Sequence, residues 1–184
     1  MGRRAFSPST SCPTKKRERN QASMRKRIAV GFGLIVLVCS VMASLAFAAE
    51  VTRSEYKAAV EPICKASATT NKKILAGVRE EVKEGKLKSA AARFAKAAQA
   101  LMKTHRELNA VPKPAEDSAR LTRWLAYVKE EVDLLKSASK ALKAGEANKA
   151  RTFVARLTHN ANLANSQIVI YDLNNCLFKP TQYT

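Results

Sequence analysis

From about residue 50 onward, apolar side chains recur at alternating steps of three and four, and turn-forming residues interrupt this rhythm three times. That period follows the 3.6-residue turn of an α-helix, so each stretch predicts a helix with one buried face. The first is expected from about Thr52 to Glu84. Thr52 and Glu55 have the spacing of a capping box, and Tyr56, Val60, Ile63, Ser67, Ile74, Val78 and Val82 form the inward face before Gly85 ends it. Pro62 lacks an N–H and crowds the preceding turn, which predicts a kink or restart there.

The second helix, about Leu87 to Ala110, has the most regular seam: Leu87, Ala91, Phe94, Ala98, Leu101, His105 and Leu108. Its alanines permit close helix approach, and Val111-Pro112-Lys113-Pro114 ends it. The third runs from about Ala115 to Ala144 on Leu121, Leu125, Val128, Val132, Leu135 and Leu142, with Trp124 beside the seam and Gly145 as its stop. The fourth starts near Ala147 and carries Phe153, Val154, Leu157, Ala161, Ala164, Ile168 and Tyr171. Short connections at Gly85 and Gly145 force neighbours antiparallel, so the expected fold is all-α, an antiparallel up-down-up-down four-helix bundle. Leu75-Ala76-Gly77-Val78-Arg79-Glu80-Glu81-Val82 echoes Leu125-Ala126-Tyr127-Val128-Lys129-Glu130-Glu131-Val132, through a duplicated hairpin or through generic helix composition.

Ahead of these helices, Ile28 to Ala49 form a 22-residue run without a charge, preceded by Arg25, Lys26 and Arg27. Such a run is a leader helix, either a signal peptide cleaved after Ala48 or a transmembrane anchor. The nine basic residues from Arg3 to Arg27 hold the N-terminus in the cytoplasm, so the rest of the chain faces outward. Three parts follow: a basic disordered segment over 1–27, the signal or anchor over 28–49, and an exported bundle over 50–184. Translation from Met24 would give an ordinary short basic start. Lipidation at Cys39 is disfavoured by Val38, where a small residue belongs.

Export leaves Cys64 and Cys176 as the only cysteines, and in an oxidising compartment two cysteines read as one disulfide. At 1.5 Å per residue Cys64 stands ~30 Å above the lower loops and Cys176 ~44 Å. The chain is therefore expected to leave the fourth helix around Asp172 to Asn175 and fold back toward Cys64.

Catalytic chemistry finds little support. Haem attachment needs Cys-x-x-Cys-His, a di-iron bundle needs paired Glu-x-x-His motifs, and no serine or cysteine sits in a Gly-rich elbow. No enzyme, metal or cofactor is expected. His105 stands on an apolar seam, and between Arg156 and Asp172 the fourth helix has 15 uncharged residues that include His159, Asn160, Asn162 and Asn165. Axially His105 is level with Asn162 to Asn165, so these residues are the candidate ligand cleft, with a buried amide network as the structural alternative.

Charge supplies the other candidate. The chain of 184 residues carries +18, and from Ala49 onward 24 basic residues face 14 acidic ones. Lys86, Arg93, Lys96 and Lys103 fall opposite the seam of the second helix, a one-signed stripe suited to anionic envelope polymers or lipid headgroups. Nucleic acid is not expected, because no aromatic residues interleave these cations and the leader exports them.

The leader, Tyr56 ahead of Cys64, the Leu157-Thr158-His159-Asn160-Ala161-Asn162 run, and Tyr171 leading into Cys176 together resemble small secreted or membrane-tethered helical proteins of high-GC Gram-positive bacteria. The resemblance spans roughly residues 52–184. It implies an exported bundle clamped by one disulfide, and no reaction. The expectation is a non-enzymatic cell-envelope bundle, membrane-linked through its N-terminus, that engages anionic material; the alternative is a small-molecule or metal carrier using the His105 and fourth-helix region.

Overall fold

The computed structural model describes residues 50–180, so the readings of the leader and of 1–49 as a whole lie outside the described residues. Five α-helices carry the fold: α1 (Arg53–Leu75), α2 (Val78–Lys83), α3 (Leu87–Ala110), α4 (Ser118–Lys143) and α5 (Ala147–Ile168). Short 3₁₀ turns follow at Ala115–Asp117, Val169–Tyr171 and Asn174–Cys176. With α1 and α2 sharing one arm, the architecture is all-α with four arms, and no strand occurs among the described residues. None of the described helices is long and apolar enough to cross a membrane.

The capping box opens α1: the Glu55 amide donates to Thr52 Oγ1 (3.2 Å) and the Thr52 amide to Glu55 Oε2 (2.9 Å). The expected restart at Pro62 does not occur: α1 is one helix from Arg53 to Leu75. The helix passes through the proline, because Pro62 and Ala58 both face solvent, where water can serve the Ala58 carbonyl that loses its N–H partner. The arm breaks instead at Ala76 (φ −57°, ψ 126°) and Gly77 (φ 75°, ψ 4°), the central pair of a type II turn. A left-handed residue is required at the second position, and only glycine adopts it without strain. In the echoed segment Tyr127 stands where Gly77 does, and α4 is continuous.

Two arms close with the same device. Gly85 and Lys86 donate to the carbonyls of Val82 and Glu81, and Gly145 and Glu146 to those of Leu142 and Ala141, each a Schellman cap.

Thr104 bonds Ser67 and Arg93 bonds the Ile74 carbonyl, tying α3 to α1. Ser139 donates to the Ala91 carbonyl across α3 and α4, and Asn160 to the Tyr127 carbonyl across α4 and α5. The inward face of α1 is Tyr56, Val60, Cys64, Asn71 and Leu75, leaving Ile63, Ser67 and Ile74 on its flank, a rotation from the expected face. On α3 two seams are buried, since Ala90, Ala97 and Thr104 join Ala91, Phe94, Ala98, Leu101 and Leu108. The same is true of α4, where Trp124, Glu131 and Ala138 join Leu121, Leu125, Val132 and Leu135. These two helices are central because each covers a neighbour on two sides.

α1 packs on α3 and on the 174–176 turn. The fourth arm ends its α-helix at Ile168, not Tyr171; Asp172 (φ 52°) then reverses the chain, and residues 172–180 return along α1 as a strap. The Asn175 amide donates to Glu61 Oε1, Cys176 bonds Cys64 with Cα atoms 4.8 Å apart, and Phe178 is held by Asn165 of α5. Phe178 and Pro180 then reach Leu75, Val78 and Leu157. The expected fold-back and disulfide are present, but the returning chain runs down the side of the helices.

At the end where the strap begins, Asp117 accepts both Nε (2.6 Å) and Nη2 (2.8 Å) of Arg53 and the hydroxyl of Tyr171 (2.9 Å). One buried carboxylate thus joins the starts of α1 and α4 to the end of the fourth arm. These hydrogen bonds, the Arg53 ones first, hold it below the ordinary carboxylate range.

Candidate ligand cavity

The residues proposed from the sequence are dispersed. His105 is half-buried on α3 beside Leu125 and Lys129 of α4; desolvation, and Lys129 nearby, push its pKa below the ordinary imidazole value. His159 and Asn162 are exposed on α5. Asn160 is buried, and its amide donates to the Tyr127 carbonyl at 2.9 Å. Asn165 binds the strap. Two asparagines of the uncharged stretch thus serve backbone groups of other elements, while His159, Asn162, Leu163, Ser166, Val169 and Ile170 are exposed, so the stretch is not enclosed and forms no buried amide network. His105 is not brought to them.

The basic stripe is also divided. Lys86 pairs with Glu84 (2.7 Å), Lys103 with Glu107 (3.7 Å), and Arg93 with Glu81 (2.8 Å). Arg93 also donates to the Ile74 carbonyl at 3.1 Å, near the end of α1 where the break at Gly77 interrupts the helical ladder. Lys96 is exposed.

A different set of residues does converge. Between α1, α3, α4 and the strap lies a cavity of about 220 Å³, partly open to solvent. Leu101, Leu108, Val128 and the Cys64–Cys176 bridge give it apolar wall, and Ser67 and Thr104 contribute hydroxyls 2.9 Å apart. Asn71 and Glu131 line it while being only 4% and 1% exposed, and neither Asn71 Oδ1 nor Glu131 Oε1 has a hydrogen-bond partner. Burial, with Glu130 adjacent, raises the Glu131 carboxyl to about 8. Buried acceptors left unpaired are costly, so two in one cavity mark a place suited to a donor-bearing guest.

Neither residue had been singled out from the sequence, although a signal was present. Trp124, Val128, Glu131, Leu135, Ala138 and Leu142 step by four and three, which sets an acid on an apolar seam. The parallel seam through Val132 masked it. Glu81, its echo counterpart, has Arg93 as partner, and Glu131 has no such cation among the described residues.

Among the described residues no three His, Cys, Asp or Glu side chains are grouped to hold a metal. No known family, curated protein or solved structure matches the chain.

Proposed function

We propose that this chain is an exported, non-enzymatic up-down-up-down four-helix bundle of the cell envelope that carries a small ligand in the cavity beneath its disulfide-tethered strap. The observation that carries the reading is that Asn71 and Glu131, whose Oδ1 and Oε1 are buried without hydrogen-bond partners, both belong to the wall of one solvent-open cavity. Export is supported by the Cys64–Cys176 bridge, since such bonds persist in oxidising compartments, and by the charge-free run over 28–49. Native mass spectrometry of protein purified from its host is the test. A bound small molecule and a mass two hydrogens below the reduced chain are expected; ligand-free protein with two free thiols overturns the reading.

Engagement of anionic amphiphiles is the second reading, favoured by one observation. An apolar groove of about 290 Å³ between α2 and α5 is walled by Val82, Phe94, Leu142 and Val154 and edged by Arg79, Lys83 and Arg151. An acyl chain with an anionic head has matching chemistry. Retention on anionic phospholipid vesicles at low salt, weakening as salt rises, is expected from it; no retention at low salt removes it.

A further inference from the structure

The chemistry of the cavity restricts its guest. Asn71 Oδ1 can only accept, and Glu131 accepts through both oxygens once ionised, so a guest that displaces the carboxyl proton must bring N–H or O–H donors to both, reaching them with a small side-chain shift because neither oxygen is exposed. Among the described residues Glu131 and Lys179 are the only charged ones on the wall; Lys179 is exposed on the strap and forms no ion pair with Glu131. No other titratable group of α1 or α3 lines the cavity, Cys64 being in the disulfide, and Glu130 next along α4 adds more negative charge. The carboxyl therefore lacks a counter-charge. One carboxylate and one amide oxygen are too few for a hard divalent cation, which takes six or more oxygens. An organic cation needs fewer contacts, and Trp124 offers an indole ring of the kind that attracts one. At 220 Å³ the space equals roughly seven waters, the scale of a small metabolite.

From this juxtaposition, and resting on the ligand-carrying reading above, we infer that the cavity binds a small organic ammonium ion, its N–H groups donated to Glu131 and Asn71 and its alkyl part lying against Leu101, Leu108 and Trp124. At neutral pH burial keeps Glu131 largely protonated. Binding an alkylammonium ion converts the acid to its carboxylate, and the carboxyl proton passes to solvent, so one proton is released per cation bound.

Trp124 is the sole tryptophan and lines the cavity, so its fluorescence reports on the site. The oxidised full chain, in mild detergent, is titrated at constant ionic strength with n-butylammonium chloride, n-butanol and sodium butyrate, which share one chain length and differ in charge. Butylammonium is expected to shift the emission saturably, with butanol at least about tenfold weaker and butyrate silent. Apparent affinity should rise about 50-fold from pH 6 to pH 8, following ionisation of Glu131. Glu131→Gln, close in shape and checked for helicity by circular dichroism, should weaken butylammonium at least about tenfold and abolish the pH dependence. Asn71→Ala supplies an independent loss. Equal binding of butanol and butylammonium, or unchanged affinity in Glu131→Gln, overturns the ammonium inference but leaves a ligand cavity. No response to any of the three overturns this inference, and ligand-free protein from the host then removes the carrier reading as well.

Discussion

Asn165 and Phe178 hold each other twice: the Asn165 amide donates to the Phe178 carbonyl at 2.9 Å, and the Phe178 N–H donates to Asn165 Oδ1 at 3.0 Å. A side-chain amide thereby stands in for the partner that a lone extended strap lacks, and it fixes residues 172–180 against α5. Asn165→Ala leaves both backbone groups half-buried and unpaired, a cost of about 1–2 kcal/mol. A lower melting temperature, with faster amide exchange concentrated in 172–180, is the expected outcome; unchanged exchange there denies the strap this anchor.

The other anchor is covalent. Cys64 and Cys176 are 112 residues apart, and in the chain-entropy account a loop of that size stabilises by about 4–5 kcal/mol. Cys176→Ser should lower thermal stability more than any other substitution named here. Because the bridge is part of the cavity wall, it should also weaken whatever the cavity holds. Equal melting of oxidised and reduced protein contradicts this.

At Gly77 the φ of 75° is the only obstacle to a side chain, since an added Cβ meets nothing within 4 Å. Gly77→Ala should cost about 1–2 kcal/mol, from backbone strain alone. Thermal denaturation measures it. A stabilised variant would mean that the arm prefers to run straight, as the Tyr127 counterpart does.

Burial of Glu131 has a sign that can be checked. Its folded pKa of about 8 lies above the unfolded carboxylate value, so between those values the folded chain binds more protons than the unfolded one. Stability from this group is present at low pH and declines as pH rises toward 8, by at most about 1.4 kcal/mol per unit. Glu131→Gln should flatten that decline and be the more stable form at pH 8. Urea midpoints at pH 5 and pH 8 decide it, and identical pH slopes for the two proteins would refute it.

Asp117 behaves in the opposite sense. Arg53 and Tyr171 hold its carboxyl below the ordinary range, so its contribution is full above the unfolded pKa and is lost as pH falls through the lowered folded value. Asp117→Asn is expected to melt lower at pH 7 and to lose less than the native chain on acidification. Parallel loss in both proteins would assign acid sensitivity elsewhere.

Helix content, the Thr52 capping box, the glycine stops at Gly85 and Gly145, the pairing of Cys64 with Cys176 and the reversal near Asp172 were all legible along the chain, since each depends on neighbours in sequence or on simple axial length. Register and partnership were not. A 3.6-residue period tells that one face is buried but not how many neighbours bury it, so the second seams of α3 and α4, with Thr104 and Glu131 on them, emerge only once those helices are flanked on two sides. Nor does linear spacing reveal that Arg93 serves the broken end of α1, that Asn165 serves the strap, or that Asn71 and Glu131 share the wall of one cavity. Those facts belong to tertiary structure because each is the answer of a buried polar group to whichever element happens to face it.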